Sequence, residues 1–222
     1  SNLDFGKNVT PILKKWGIDP EEIHEDQMDL LTIPRNLKLF ERIADKVPIE
    51  SLTTSYNFAD SFIEEIVIKN KTLGNKAFSV LQDMAAKLMD RRSLFLFKDS
   101  FDGDEQMLRS LKSEGVLQED TLGKRIAFTH QTLIDTLATR KAISEGQSLE
   151  NFILSYPPLP FIRPSVRTFL FYLRSFTREQ FSGQVRKVFD NPVIAYHIKR
   201  LIAESLAEVK PCTDDLQLFK WF

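Results

Sequence analysis

The chain has 222 residues, of which 42% are hydrophobic, and its 30 basic and 31 acidic residues leave a net charge of −1. This near-neutral balance favours neither nucleic acid nor membrane as a partner of the surface as a whole, and the single cysteine, Cys212, excludes an internal disulfide framework and fits a reducing compartment. The eight glycines argue against an all-β fold, and no apolar run approaches the roughly 18 residues that a membrane span needs. We therefore expect a cytoplasmic, mainly α-helical protein without a membrane partner.

Residues 3–74 are predicted to form a small helical domain. After a first short helix, Asp19, Pro20 and Glu22 form a capping pattern that predicts the start of a second helix. Pro34 then breaks this second helix and begins a third. The clearest helix of the group follows, because apolar pairs recur every four residues. The pairs are Phe58/Ala59, Phe62/Ile63 and Ile66/Val67.

Residues 75–146 are predicted to form a winged-helix domain. The expected order is helix, strand, helix and a two-stranded wing, followed by a closing helix. The middle helix opens on an acidic capping pattern and ends at Gly115. The predicted elements are a helix at 76–92, a strand within 94–97, a helix at 102–115, a hairpin of 116–119 with 124–128, and a helix ending near 144.

Residues 147–222 are predicted to form an antiparallel helical array, which we expect to be truncated. Ser148 is the predicted cap of its first helix, and the proline-rich stretch at 157–160 ends that helix. No clean repeat period is visible. Further helices are predicted at 164–176, 177–189, 192–209 and 216–222.

The sequence contains no phosphate-binding loop. Nothing fits G-x-x-x-x-G-K-[ST]. Lys76 follows Gly74-Asn75 and Lys124 follows Gly123, but neither has the second glycine or the magnesium-binding hydroxyl. His24 and His197 have no Cys or second His at ligand spacing, so we assign no metal. No catalytic set for another chemistry emerges either. We predict that this chain does not hydrolyse ATP by itself.

One stretch of the sequence is distinctive. Residues 125–140 read R-I-A-F-T-H-Q-T-L-I-D-T-L-A-T-R, a short strand that runs directly into a helix. The pattern F-T-H-Q-T-L-x-D-x-L-A-x-R resembles the end of the winged-helix domain of STAND signalling NTPases, the NACHT and NLR-like relatives of AAA+ ATPases. The resemblance implies that His130 reaches the phosphates of bound ADP and holds the protein closed. The simpler interpretation is that His130 only occupies a crevice between domains.

A second stretch, L-L-T-I-P-R-N-L at 30–37, resembles the small helical domain of the same family. The resemblance implies that Pro34 packs on the adenine base, for which a flat, rigid residue without a hydrogen-bond donor is suited. The simpler interpretation is that Pro34 merely starts a helix.

The resemblance has consequences for the parent protein. It implies a P-loop domain N-terminal to this chain, ATP or ADP bound in the full-length parent only, and ATPase activity of that parent. Because the chain begins with Ser1 rather than Met, we expect it to be a piece of such a protein. The resemblance is compatible with a parent that is oligomeric when active.

Arginines recur on one predicted helix near the end of the chain. Arg163, Arg167 and Arg174 are separated by four and seven residues, which places them on one helical face. Together with Arg178 they form a candidate surface for an acidic protein or a nucleic acid. The simpler interpretation is a solvated face.

Two alternatives to a nucleotide-dependent switch stay open. A winged-helix DNA-binding domain needs a basic recognition helix, but the helix in that position begins with Asp102, Asp104 and Glu105 and offers only Arg109 and Lys112 before its end. A helical scaffold for protein interactions is the other alternative, and it leaves the strand-to-helix stretch unexplained.

Overall fold

The computed structural model describes residues 2–207. Within them helices predominate, and three short strands form an antiparallel sheet, which confirms a mainly α fold with a small β part. The elements are α1 (Thr10–Lys15), α2 (Glu25–Thr32), α3 (Pro34–Ile43), α4 (Ser55–Phe62), α5 (Gly74–Arg91), β1 (Leu96–Phe97), α6 (Glu105–Ser113), β2 (Leu117–Glu119), β3 (Arg125–Phe128), α7 (Gln131–Ser144), α8 (Leu149–Leu154), α9 (Arg163–Phe176), α10 (Arg178–Asp190) and α11 (Tyr196–Ala207).

Backbone contacts group the chain into two compact units. The first contains the described residues up to Met84 together with Leu94–Leu133, and the second contains Ala85–Ser93 together with the described residues from Ile134 onward. Both divisions fall inside helices, because α5 and α7 each contribute residues to both units. The three-domain division at 3–74, 75–146 and 147–222 stays a prediction.

The second helix begins later than the sequence predicted. Asp19 accepts a hydrogen bond from a following backbone N–H at 3.0 Å, but only a single 3-10 turn, Pro20–Glu22, results. Ile23 and His24 are extended, and α2 begins at Glu25 with His24 as its N-cap. The predicted cap is therefore correct and the predicted helix start is wrong, because a capping pattern specifies a first turn and not its continuation.

A single residue, Ile33, separates α2 from α3. Ile33 is at once the C-cap of α2 and the N-cap of α3, and its backbone is extended, with φ −76° and ψ 116°. The ring of a proline disfavours the helical region for the preceding residue. Pro34 therefore ends α2 and begins α3, as the sequence predicted.

The helical core of the first unit lies between α3 and α4. The rings of Phe40 and Phe58 meet edge to face with centroids 6.5 Å apart, and both side chains are completely buried. Burial of an aromatic side chain of this size contributes roughly 1.5–3 kcal/mol. All members of the three predicted apolar pairs are buried, although the helix continues as a π-helical turn at Ile63–Ile68.

The sheet has the spatial order β1-β3-β2, with both pairings antiparallel. Leu96 lies opposite Ile126, and Leu117 lies opposite Phe128. All four side chains are buried, so one face of the sheet is apolar. The predicted hairpin and the predicted strand within 94–97 are confirmed.

Helix α6 is bounded as its capping residues predict. The carboxylate of Asp104 accepts a hydrogen bond from the backbone N–H of Met107 at 2.8 Å. The chain leaves the helix through Gly115, whose φ of +72° lies in the left-handed region that favours glycine. The N–H of Val116 donates to the carbonyl of Leu111 at 2.9 Å and directs the chain into β2.

The second unit contains α8 to α11, with α9 packed against α8, α10 and α11. Ser148 caps α8, as predicted, by accepting the backbone N–H of Asn151 at 3.2 Å. The last helix begins at Tyr196 and not at 192, because the side chain of Asn191 accepts the N–H of Val193 at 2.8 Å and forms a turn. The antiparallel array stays a prediction, and the predicted helix at 216–222 lies outside the described residues.

Candidate functional site

His130 lies at the junction between β3 and α7. Thr129, the residue before it, donates its hydroxyl hydrogen to the carbonyl of Gly115 at 2.7 Å. The N–H of Thr129 donates to the carbonyl of Val116 at 3.1 Å. These two bonds fasten the residue before His130 to the turn that follows α6.

The imidazole of His130 is half-buried. Burial lowers the pKa of His130 below its usual range, and the positive charges of Lys38 and then Arg35 lower it further. Within residues 2–207 neither ring nitrogen has a hydrogen-bond partner. At neutral pH the ring is therefore uncharged and has one N–H available to an acceptor.

The charges acting on His130 belong to α3, the helix that Pro34 begins. Arg35, Lys38 and Arg42 are separated by three and four residues, which places them on one face of α3. All three side chains are exposed. In the described part of the chain none of them forms an ion pair with a carboxylate.

Arg42 connects this basic face to the turn after α6. A Cβ atom placed on Gly115 would lie only 3.2 Å from a guanidinium nitrogen of Arg42. The carbonyl of Gly115 in turn accepts the hydroxyl of Thr129. The basic face of α3 thus extends beside the segment that holds His130, and both belong to the first unit.

The sequence singled out Pro34 and His130, which lie far apart in the chain. Pro34 is exposed at the start of α3, and His130 lies within the electrostatic reach of the same helix. Arg35, Lys38 and Arg42 were not identified from the sequence as site residues. Their spacing directly after Pro34 is the signal that could have found them.

The predicted arginine surface is part of the second unit. Arg163 is exposed, and Arg167 is half-buried with its guanidinium 5.4 Å from the ring centroid of Phe171. Arg174 is half-buried on the same face of α9, and Arg178 is the exposed first residue of α10. Three of the four arginines therefore share one helical face, as predicted. A partner for that face stays a prediction.

A shallow, mainly apolar depression also lies in the second unit, lined by Met89, Tyr156, Phe161 and Ile162 among others. It contains none of the predicted site residues. Within residues 2–207 no three Asp, Glu, His or Cys side chains are grouped as they would be to hold a metal ion. No helix in that part of the chain combines the length and apolarity needed to cross a bilayer.

Comparison with protein-family models, with curated proteins and with solved structures gives no match for this chain.

Proposed function

We propose that this chain is the regulatory part of a STAND-type NTPase, coupling the ADP or ATP state of the parent protein to a sensor or effector region. The observation that supports this most directly concerns His130. Its ring is half-buried and has no hydrogen-bond partner within the described residues, and the positive charges of Lys38 and Arg35 on α3 act on it. This positively charged environment favours the binding of a phosphate anion. Pro34 begins the same helix, so groups suited to the two ends of a nucleotide belong to one region of the first unit.

In this proposal each residue has a separate role. His130 donates a ring N–H to a phosphate oxygen, and Pro34 offers an exposed apolar ring face to the base. Arg35 and Lys38 attract the phosphates electrostatically. The chain binds and reports the nucleotide, whereas the P-loop domain of the parent supplies the groups for hydrolysis.

The order of elements from α5 to β3 also supports the proposal. The sequence of α5, β1, α6, β2 and β3, with β1 paired to β3, is the arrangement expected of a winged helix with a two-stranded wing. In STAND proteins, to which the 125–140 stretch is similar, a winged helix carries the phosphate-binding histidine. We therefore assign the winged helix as part of the same proposal.

The charges on α6 disfavour DNA binding as the alternative. Lys112 forms an ion pair with Glu119, and Lys98 lies 3.3 Å from the same carboxylate. The hydrogen bond from Lys112 lowers the pKa of Glu119, although burial opposes this shift. Arg109 lies 3.7 Å from Glu105. Because carboxylates face the basic side chains near α6, little free positive charge is left for a phosphate backbone.

The proposal is tested in the full-length parent by the rate of ADP release. A charge-assisted hydrogen bond from His130 is worth about 1.5–3 kcal/mol, so His130→Ala should increase ADP release and the open population about ten- to hundredfold. Exposed His197, changed to Ala, is the matched control and should leave the rate unchanged. Pro34→Ala should weaken ADP and ATP alike. An unchanged ADP release rate in His130→Ala would refute the proposal.

The chain on its own provides a second arm of the test. Without a P-loop it should bind Mg-ATP more weakly than micromolar and should not turn it over. Calorimetry that gives micromolar Mg-ATP affinity for the isolated chain would contradict the assignment.

A further inference from the structure

The cations on the basic face of α3 form no ion pair within the described chain. Arg35, Lys38 and Arg42 follow one another along the helix, and Glu41 is the acidic residue of α3. Neither Glu41 nor another carboxylate in residues 2–207 lies within ion-pair distance of the three side chains. Like charges on one face repel one another, and an anion that contacts several of them removes this repulsion.

The turn beside this face carries an acidic residue that none of the three cations pairs with. Arg42 lies over Gly115, and Thr129 binds the carbonyl of Gly115. Glu114, the acidic residue next to this turn, accepts a hydrogen bond from the side-chain amide of Asn70 at 3.3 Å. The charges that act on His130 are those of Lys38 and Arg35. The region therefore presents three exposed cations and one neutral N–H donor to a ligand, with the carboxylates of Glu41 and Glu114 on and beside the same face.

We infer that Arg35, Lys38 and His130, with Arg42 at one edge, form a binding site for an oligophosphate. This inference rests on the proposed function and deepens it, because the chain then supplies several phosphate ligands in place of a single histidine. Residues three and four apart on a helix have Cβ atoms roughly 5–6 Å apart. Consecutive phosphates of one chain can therefore contact neighbouring cations, and arginine can bind a phosphate through two N–H groups.

Proton binding regulates this site. Near neutral pH His130 is uncharged, because burial, Lys38 and Arg35 oppose its protonation. A bound oligophosphate offsets the repulsion and stabilises the imidazolium, so phosphate binding takes up a proton. By linkage, oligophosphate affinity rises as pH falls through the titration range of His130.

Calorimetry on the isolated chain with magnesium-free tripolyphosphate at low ionic strength tests the site. Wild type should bind saturably, and Arg35→Gln and Lys38→Gln should each weaken binding by about two- to fivefold, the range expected for an exposed charge pair. Exposed Lys14 on α1, changed to Gln, is the charge-matched control and should bind as wild type. Equal losses in all three variants, or no saturable binding in wild type, would overturn the inference.

The proton linkage has a readout that does not depend on a His130 variant. In an NMR titration of the histidine ring protons, tripolyphosphate should raise the pKa of His130, whereas the ring-proton signals of exposed His197 should not respond to the ligand. An equal change at both histidines, or none at His130, contradicts the linkage. His130→Gln then shows in calorimetry how much of the pH dependence belongs to the ligand's own titration.

These measurements separate the site from the proposed function. If tripolyphosphate binds as expected but ADP release from the parent is unchanged in His130→Ala, the oligophosphate site stands and the switch function fails. If His130→Ala increases ADP release but Arg35→Gln and Lys38→Gln bind tripolyphosphate like wild type, the switch stands and the multi-cation site fails.

Discussion

The hydroxyl of Thr129 donates to the carbonyl of Gly115 at 2.7 Å and so joins the end of β3 to the turn after α6. Arg42 approaches that same glycine from α3. The residue that precedes His130 is therefore bonded to the turn against which the basic face of α3 lies. This hydrogen bond therefore links the residue before His130 to the turn that Arg42 approaches.

Removal of the Thr129 hydroxyl should destabilise the first unit. Thr129→Val keeps the shape of the side chain but leaves the carbonyl of Gly115 without its donor, which should lower the free energy of unfolding by about 1–2 kcal/mol. Thr129→Ser keeps the hydroxyl and should lower the free energy of unfolding by less. Urea unfolding of both variants checks this, and a Thr129→Val chain as stable as wild type would show that the bond contributes nothing net.

Substitution of Gly115 should lower the free energy of unfolding by more than its backbone conformation alone predicts. Gly115 and Gly17 have nearly the same positive φ, +72° and +71°, but only at Gly115 would a Cβ meet a neighbour, the Arg42 guanidinium at 3.2 Å. Gly17→Ala should lower the free energy of unfolding by about 1 kcal/mol. Gly115→Ala should lower it by up to about 1 kcal/mol more.

Arg42→Ala provides the control for this comparison. In an Arg42→Ala background the excess cost at Gly115 should disappear, because the crowding atom is gone. An excess that persists without Arg42 would place its cause in the backbone of the turn.

His130 should make stability depend on pH in a defined direction. Its pKa is lowered in the folded state, whereas in the unfolded chain it should be near 6.5. Above about pH 6.5 both states hold neutral His130 and no stability is lost; as pH falls from there through the lowered folded-state pKa, the unfolded state takes up the proton first and the free energy of unfolding decreases.

The comparison of wild type with His130→Gln isolates this effect. The difference between their free energies of unfolding, measured by urea titration from pH 7.5 to 5, should change in favour of His130→Gln as pH falls. A difference that is independent of pH would contradict the lowered pKa. Tripolyphosphate should reduce the pH dependence of wild type, because it stabilises the protonated ring.

A buried pair in the second unit should be sensitive to loss of a hydroxyl. Ser165 is fully buried on α9 and donates to the carboxylate of Asp135 on α7 at 2.6 Å. Ser165→Ala removes a hydrogen bond to a charged group and should lower the free energy of unfolding by about 1.5–3 kcal/mol. Exposed Ser155, which donates to a helix carbonyl, is the matched control and should lose less than about 0.5 kcal/mol. Equal effects would indicate that burial does not strengthen the Ser165 bond.

Much of the local structure could be predicted because its causes lie within a few residues. Asp104 and Ser148 cap α6 and α8 through hydrogen bonds to nearby N–H groups. Pro34 begins α3 through its effect on one neighbour. The errors have the same origin: the cap at Asp19 fixed only one turn, and the Asn191 side chain closed a turn that apolar periodicity does not reveal.

The site could be predicted only in part. The sequence patterns around His130 and Pro34 identified both as candidate site residues. The approach of α3 to the β3–α7 junction, however, depends on contacts between segments that are distant in the chain. Arg42 over Gly115 is such a contact, and no local pattern encodes it. The electrostatic influence of Lys38 on His130 therefore emerged only from the three-dimensional structure.

The junction at Ile33 restricts the number of residues between α2 and α3 more strongly than it restricts which residues they are. Since this one residue both ends α2 and caps α3, no loop separates the two helices that could accommodate an extra residue. An insertion before Pro34 that extended α3 backwards would rotate its register by about 100°, the angle between consecutive helical residues. Arg35 and Lys38 would then turn away from His130 although every side chain remained present. The same rotation would turn buried Phe40 and Ile43 out of the core of the first unit, so the number of residues at this junction governs both the packing of α3 and the direction of its cations.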